Sequence, residues 1–447
     1  MRHEQVRHER TARRRHLRLA LCAMLAGLSI DAAAQHMFRG DEGHSGTAAS
    51  AAPRQFHRLK WSFPTGDRIV SSPAWHEGLV IFGSDDGNVY AVEAASGRQR
   101  WMHRTGGPVP SSPAIAGGRV FIVSYDGRLH ALDARSGELL WKFASEGERR
   151  FEARGLHGML PRTQTYADMF DVFLSSPVVA QGSVFFGSGD GHVYAVDAAS
   201  GALRWKFRTG DVVHASPAMA DGAVFVGSWD GKLYALDASS GALRWAFQGG
   251  TDALMFNQQG FQSSPAVAHG VVYSGSRDAN VYALDARTGR ELWRFSTGLS
   301  WVVSSPAVAD GRVHFATSDS ARYHVVDALS GKPVADNSTK AFVFSSPVLA
   351  GDVALLGVLN GSLQARDRAT GTLLWEFRTE AALANRGWVL TPDGRFNAPW
   401  LFPSNWREAT AVGSERQFSV GSFFSSPLVA GGVIYIGSAD GNLYAIE

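Results

Sequence analysis

Residues 111–143 read SSPAIAGGRVFIVSYDGRLHALDARSGELLWKF, and this stretch decides the fold. A short apolar strand follows Pro113 and turns at Gly117-Gly118. A second strand, Val120 to Ser124, turns at Asp126-Gly127. A third, Leu129 to Asp133, turns at Gly137, and a fourth carries Trp141. Dipeptides such as Asp-Gly supply the positive φ angles that tight hairpins need. The strands are apolar on both faces, which suits sheets covered on both sides. The same phrase recurs eight times, marked by Pro73, Pro113, Pro177, Pro217, Pro265, Pro306, Pro347 and Pro427. Where nothing is inserted the period is 40 or 41 residues. Four short strands at that period predict a propeller blade. The expected fold is therefore all-β, an eight-bladed β-propeller of four-stranded antiparallel blades over residues 56–447.

A second spacing runs through the repeats: Ala-x-Asp-x-x-x-Gly-x-x-x-Trp. It is complete at Ala131, Asp133, Gly137 and Trp141, and it recurs at Trp205, Trp245, Trp293 and Trp375, with Glu93 for Asp ahead of Trp101. The Asp accepts backbone N–H groups in its turn. The Gly allows positive φ and close approach, and the Trp fills the wedge between blades. With Trp61, these tryptophans are read as structural docking residues. The chain stops at Glu447 after a third strand, and the missing Trp strand stands at the other end, as Leu59-Lys60-Trp61-Ser62-Phe63. The N-terminal strand is therefore expected to close the ring and remove its open edges.

Residues 1–34 read as a signal peptide. Arg13, Arg14, Arg15 and Arg18 precede an apolar run from Leu17 to Ile30, and Ala32-Ala33-Ala34 offers a cleavage site before Gln35. The protein is then expected in the periplasm or secreted. The leader holds seven Arg and three acids, so its loss takes the formal charge from +2 to about −2. That balance argues against nucleic acid or an anionic membrane as partner. Cys22, the only cysteine, leaves with the leader, so neither a disulfide nor a thiolate site is expected. Residues 35–55 are small and polar and read as a flexible N-terminal arm. No later stretch is apolar and long enough to span a bilayer, and a monomer is expected.

The docking motif resembles the tryptophan-docking repeat of the pyrroloquinoline quinone (PQQ) repeat superfamily. That superfamily includes quinoprotein dehydrogenases and the eight-bladed lipoprotein of the bacterial outer-membrane barrel-assembly machinery. The resemblance covers residues 61–447. For the dehydrogenases it implies PQQ stacked in the channel, calcium held by carboxylate and amide, and an Asp base. A Cys-Cys disulfide covers the cofactor in many of them, and none can form here. No calcium ligand set, zinc spacing, phosphate loop or Ser/His/Asp order stands out in these residues.

Function on a repeat scaffold sits where the repeat is broken. Insertions occur at about 144–172, 249–260 and 379–422, all between a fourth strand and the next first strand. They should therefore share one face, which is the expected binding face. The residue before each Asp-Gly turn, and the one before each Ser-Ser-Pro phrase, should also reach it. These positions supply Tyr125, Trp229, Arg277, His214 and Gln262 as candidate contacts. The 379–422 insert adds Arg386, Trp388, Trp400, Trp406 and Arg407. Arg366, where other blades are apolar, needs a partner or an anion if buried, and otherwise should snorkel outward. Three readings stay open: a non-catalytic propeller binding a ligand or protein partner in the cell envelope, a PQQ-dependent oxidoreductase, and an outer-membrane assembly scaffold.

Overall fold

The computed structural model of the chain describes residues 36–251 and 260–447. The expected leader and its cleavage site at Ala34-Gln35 lie outside the described residues, as does most of the 249–260 insert. Eight four-stranded antiparallel meanders form the ring. In blade two they are Ala114–Ala116, Arg119–Ser124, Arg128–Asp133 and Leu139–Ala144, ordered from channel to rim. Blade eight takes three strands from the end of the chain and its fourth, Leu59–Pro64, from the beginning. Trp61 sits opposite Ala445 in that seam. Arg58 and Glu447 exchange main-chain hydrogen bonds across it, and Arg58 and Lys60 both pair with the Glu447 carboxylate.

The phrase that marks each repeat also closes the circle. The main-chain N–H of the second Ser donates to the hydroxyl of the second Ser in the next blade. The chain of bonds runs Ser72, Ser112, Ser176, Ser216, Ser264, Ser305, Ser346, Ser426 and back to Ser72, at 2.8–3.1 Å. Each links neighbouring blades at the channel wall, where a longer residue would fill the bore. Ala215 replaces the first Ser in blade four without interrupting this belt.

Outside the belt, blades meet through the tryptophans. Each indole of Trp61, Trp101, Trp205, Trp245 and Trp293 donates to the carbonyl of an Ala in the next blade, at 2.9–3.1 Å. Its ring covers the Gly of that blade's last turn. A Cβ on Gly137 would lie 2.6 Å from Trp101, and one on Gly201 2.6 Å from Trp141. Their φ angles of 75° and 73° add a second reason for Gly there. Trp375 has no such turn to cover and donates instead to the carbonyl of Pro53.

The seam between blades six and seven is built differently. Ala335 stands at the docking position, and the vacated space takes Asn337, Gln364 and Arg366. Arg366 is buried and does not snorkel. Its guanidinium donates to the carbonyls of Gly371 and Ser338 and to Gln364 Oε1. It is thus satisfied inside the ring, near the turn on the face without inserts.

The N-terminal segment corrects the expectation of a flexible arm. Residues 36–48 cross the channel on that same face. The carbonyls of His36, Glu42, Gly43, Ser45 and Gly46 accept from Ile115, Met219, Val267, Val308 and Leu349. Thr47–Ala48 then adds a parallel fifth strand to blade seven. Buried Arg39 donates to the carbonyls of Pro306 and Pro347, at 2.9 and 2.6 Å. Burial lowers its pKa to about 9, against the pull of Asp41. The innermost strands leave unpaired N–H groups facing the bore, and a buried donor needs an acceptor. The segment supplies them, which composition does not reveal.

Candidate functional site

The 144–172 insert folds over the other end of the channel. Its strands Glu152–Arg154 and Thr165–Ala167 form a small hairpin. Phe151 lies flat on Trp229, with ring centres 4.3 Å apart and planes 9° from parallel. Arg277 is sandwiched between Trp229 and Trp301, 4.3 and 4.2 Å from their ring centres. Trp229 and Arg277 are each 1% exposed.

Two charge clusters anchor this plug. Asp168 accepts from Arg277 at 2.5 Å, pairs with His157 at 2.8 Å and accepts the Phe170 N–H at 2.8 Å. Burial alone would raise its pKa, but Arg277 and His157 hold it below the usual carboxylate range. Gln262 ties the same cluster, accepting from Arg277 Nε and donating to the Phe170 carbonyl, both at 2.8 Å. In the second cluster His214 lies between Asp171 at 2.8 Å and Glu148 at 3.4 Å. Burial opposes its charge, yet the two carboxylates raise its pKa to about 10, so it is an imidazolium at neutral pH. Tyr125 adjoins this cluster, and burial pushes its hydroxyl pKa upward.

Five candidates, from blades two, four and five, therefore meet at one mouth, but they face the protein's own insert. Tyr125, Trp229, Arg277, His214 and Gln262 hold the plug down. Between the plug and Phe38 on the crossing segment, the channel retains a cavity of about 30 Å³. That is room for roughly two waters.

The 379–422 insert lies beside the plug and carries three helices: Glu380–Ala384, Ala398–Leu401 and Arg407–Phe418. Thr379 caps the first helix, accepting from Ala382 N at 3.1 Å. Val389, Leu390 and Leu401 are buried together under the insert, and Phe418 reaches into the aromatic cluster at the channel mouth. The two inserts are tied by Leu160 N to the Asn405 carbonyl and Asn405 Nδ2 to the Gly158 carbonyl, at 3.0 and 3.1 Å. Its tryptophans stay outside. Trp388 is 65% exposed, Trp406 53% and Trp400 37%, with the Arg416 guanidinium 4.5 Å over the Trp400 ring. Arg386 and Arg407 are exposed beside them. Sequence spacing located this insert, but not which of its aromatics would be buried.

The family model described as "Outer membrane protein assembly factor BamB" matches residues 55–170, 161–277 and 277–393. The chain belongs to this PQQ-repeat family. No curated protein matches it. Among solved structures it is similar to BamB from Moraxella catarrhalis, at 17% identity and TM-score 0.60, over 87% of this chain and 97% of that one. It is also similar to a europium-containing methanol dehydrogenase, at 16% identity and TM-score 0.67, over 93% and 98%. A quinohemoprotein alcohol dehydrogenase from Comamonas testosteroni matches at 14% identity and TM-score 0.66, over 93% and 80%. At these identities the structures share the fold.

The channel residues do not fit PQQ and calcium. A small-molecule site needs roughly 300 Å³ or more, against about 30 Å³ here. The Trp229 ring is covered by Phe151 and Arg277, which leaves no free stacking face. Asp168, Asp171 and Glu148, three carboxylates at the mouth, are committed to Arg277, His157 and His214. Among the described residues no group of three or more His, Cys, Asp or Glu is placed to hold a metal ion. No described helix is long and apolar enough to cross a membrane.

Proposed function

We propose that this chain is an exported cell-envelope scaffold that docks a protein partner on the 379–422 insert, in the manner of an outer-membrane protein assembly factor. One observation carries this reading. Trp388, Trp400 and Trp406 are exposed within a 19-residue stretch of an insert that buries Val389, Leu390, Leu401 and Phe418 beneath it. Trp and Arg dominate the energetic centres of protein interfaces, and here Arg416 lies over the Trp400 ring while Arg386 and Arg407 are exposed near Trp388 and Trp406 in sequence. The family supports the choice of partner class, since its model carries the name of an assembly factor. The plugged channel is consistent with this, because a bore of about 30 Å³ leaves no room for a partner to enter.

The test is in-cell photocrosslinking with a probe at Trp388, alongside a probe at exposed Lys206 on the rim of blade three. A discrete adduct with an envelope protein is expected at Trp388 only, and it should vanish when Trp400 and Trp406 are both changed to Ala. Identical adduct patterns at the two positions would sink the proposal.

A further inference from the structure

The seam that lacks a docking Trp carries a second feature, independent of the inserts. On the opposite face a groove of about 430 Å³ lies between blades six and seven. A groove of about 500 Å³ occupies the corresponding place between blades four and five. The two are alike in position and size, and the blade four groove also carries Arg244, Arg287 and His269, but they differ at three lining positions. The blade four groove includes Phe225, Ala223 and Ala286. Strand register puts His314 where Phe225 stands and Arg312 where Ala223 stands. Arg368 replaces Ala286, a position that is Ala in all six earlier blades. One seam has therefore exchanged three apolar lining residues for two guanidiniums and an imidazole.

His314 shows what the groove is built to receive. It is fully buried, and its Nδ1 lies 2.7 Å from the Tyr323 hydroxyl. The Tyr323 hydroxyl has no other hydrogen bond among the described residues, and burial keeps it protonated. It must donate to Nδ1, which leaves the proton of a neutral imidazole on Nε2. Burial and the nearby charges of Arg368 and Arg312 hold that ring neutral. Nε2 has no partner. A buried N–H donor beside two cations suits an acceptor with negative charge and rejects a metal ion.

We propose that this groove binds a small oxyanion, a carboxylate or a phosphate, through Arg312, Arg368 and the Nε2–H of His314. The carboxylates around it are already answered. Asp352 and Asp367 pair with Arg54, and Asp310 pairs with Arg368 at 2.5 Å. Arg312 makes no ion pair among the described residues and donates only to the Ala369 carbonyl, at 3.1 Å. Three arginines and three aspartates leave the rim neutral overall, so recognition is by local hydrogen bonding and not by a long-range field. Binding should accordingly depend only modestly on salt.

The experiment is calorimetric titration of the full mature chain with inorganic phosphate and, separately, with succinate, at fixed ionic strength. Saturable binding of at least one anion is expected, and the arm that saturates tells phosphate from dicarboxylate. Arg312→Ala should weaken it roughly tenfold or more. His314→Phe combined with Tyr323→Phe restores an apolar lining, orphans no hydroxyl and should weaken binding to a similar extent. Arg244→Ala, in the blade four groove, should leave it unchanged. Failure of both anions to saturate overturns the proposal, as does undiminished binding in the first two variants.

Discussion

One of the two charge clusters that anchor the plug centres on Asp168, and Asp168→Ala tests its part directly. Asp168 is fully buried and serves Arg277, His157 and the Phe170 N–H at 2.5, 2.8 and 2.8 Å. Removing one member of a buried ion pair costs roughly 3–5 kcal/mol, because the remaining charge is stranded. That energy falls on the insert and not on the ring, since the blades keep their ladders and serine belt. At 1.4 kcal/mol per decade, opening of the plug should rise by roughly two to three and a half orders of magnitude. Backbone hydrogen exchange across 151–171, with trypsin cleavage at Arg154 and Arg162, reads this opening. The double variant Asp168→Ala/Arg277→Met should recover part of the protection, because the stranded cation is gone. Unchanged exchange in Asp168→Ala would refute the account of the plug as charge-anchored.

His214 makes the plug sensitive to alkali. Its pKa rises from the ordinary 6.5 to about 10 in the fold, so its contribution is complete below about 6.5 and is lost as pH climbs through about 10. Exchange in 148–171 should accelerate over that window, and His214→Gln should flatten the profile. In the serine belt, Ser216→Ala leaves the Ser176 N–H buried without its acceptor. The expected loss is roughly 1–3 kcal/mol in urea denaturation, and no loss would show the belt to be incidental. Trp205→Ala empties a docking wedge and should cost roughly 3–5 kcal/mol by the same measurement. By contrast, Ala335→Trp should also destabilise, since Asn337 and Arg366 already fill that wedge. A gain in stability there would contradict the packing described for the seam.

Much of this molecule was legible before folding because a repeat states its own contacts. The glycines at positive φ, the Asp-Gly turns and the tryptophans act within one blade or between adjacent ones, at fixed sequence separation. Eight copies of a local rule gave the ring, and the seam followed from a strand missing at one end and spare at the other. Composition reads 35–55 as a flexible arm because the contacts of 36–48 are with strand edges far away in sequence, which composition does not report. Tyr125, Trp229, Arg277, His214 and Gln262 stand out as a set because each precedes either the turn after a second strand or the Ser-Ser-Pro phrase. Their role does not, since it depends on Phe151, Asp168 and Asp171, which lie in an insert with no repeat to set their place. Periodicity thus determined the architecture and the face that would be elaborated. Only tertiary packing decided that the channel is closed and that the indoles of the 379–422 insert remain in solvent, because burial is settled by which distant segments compete for the same space.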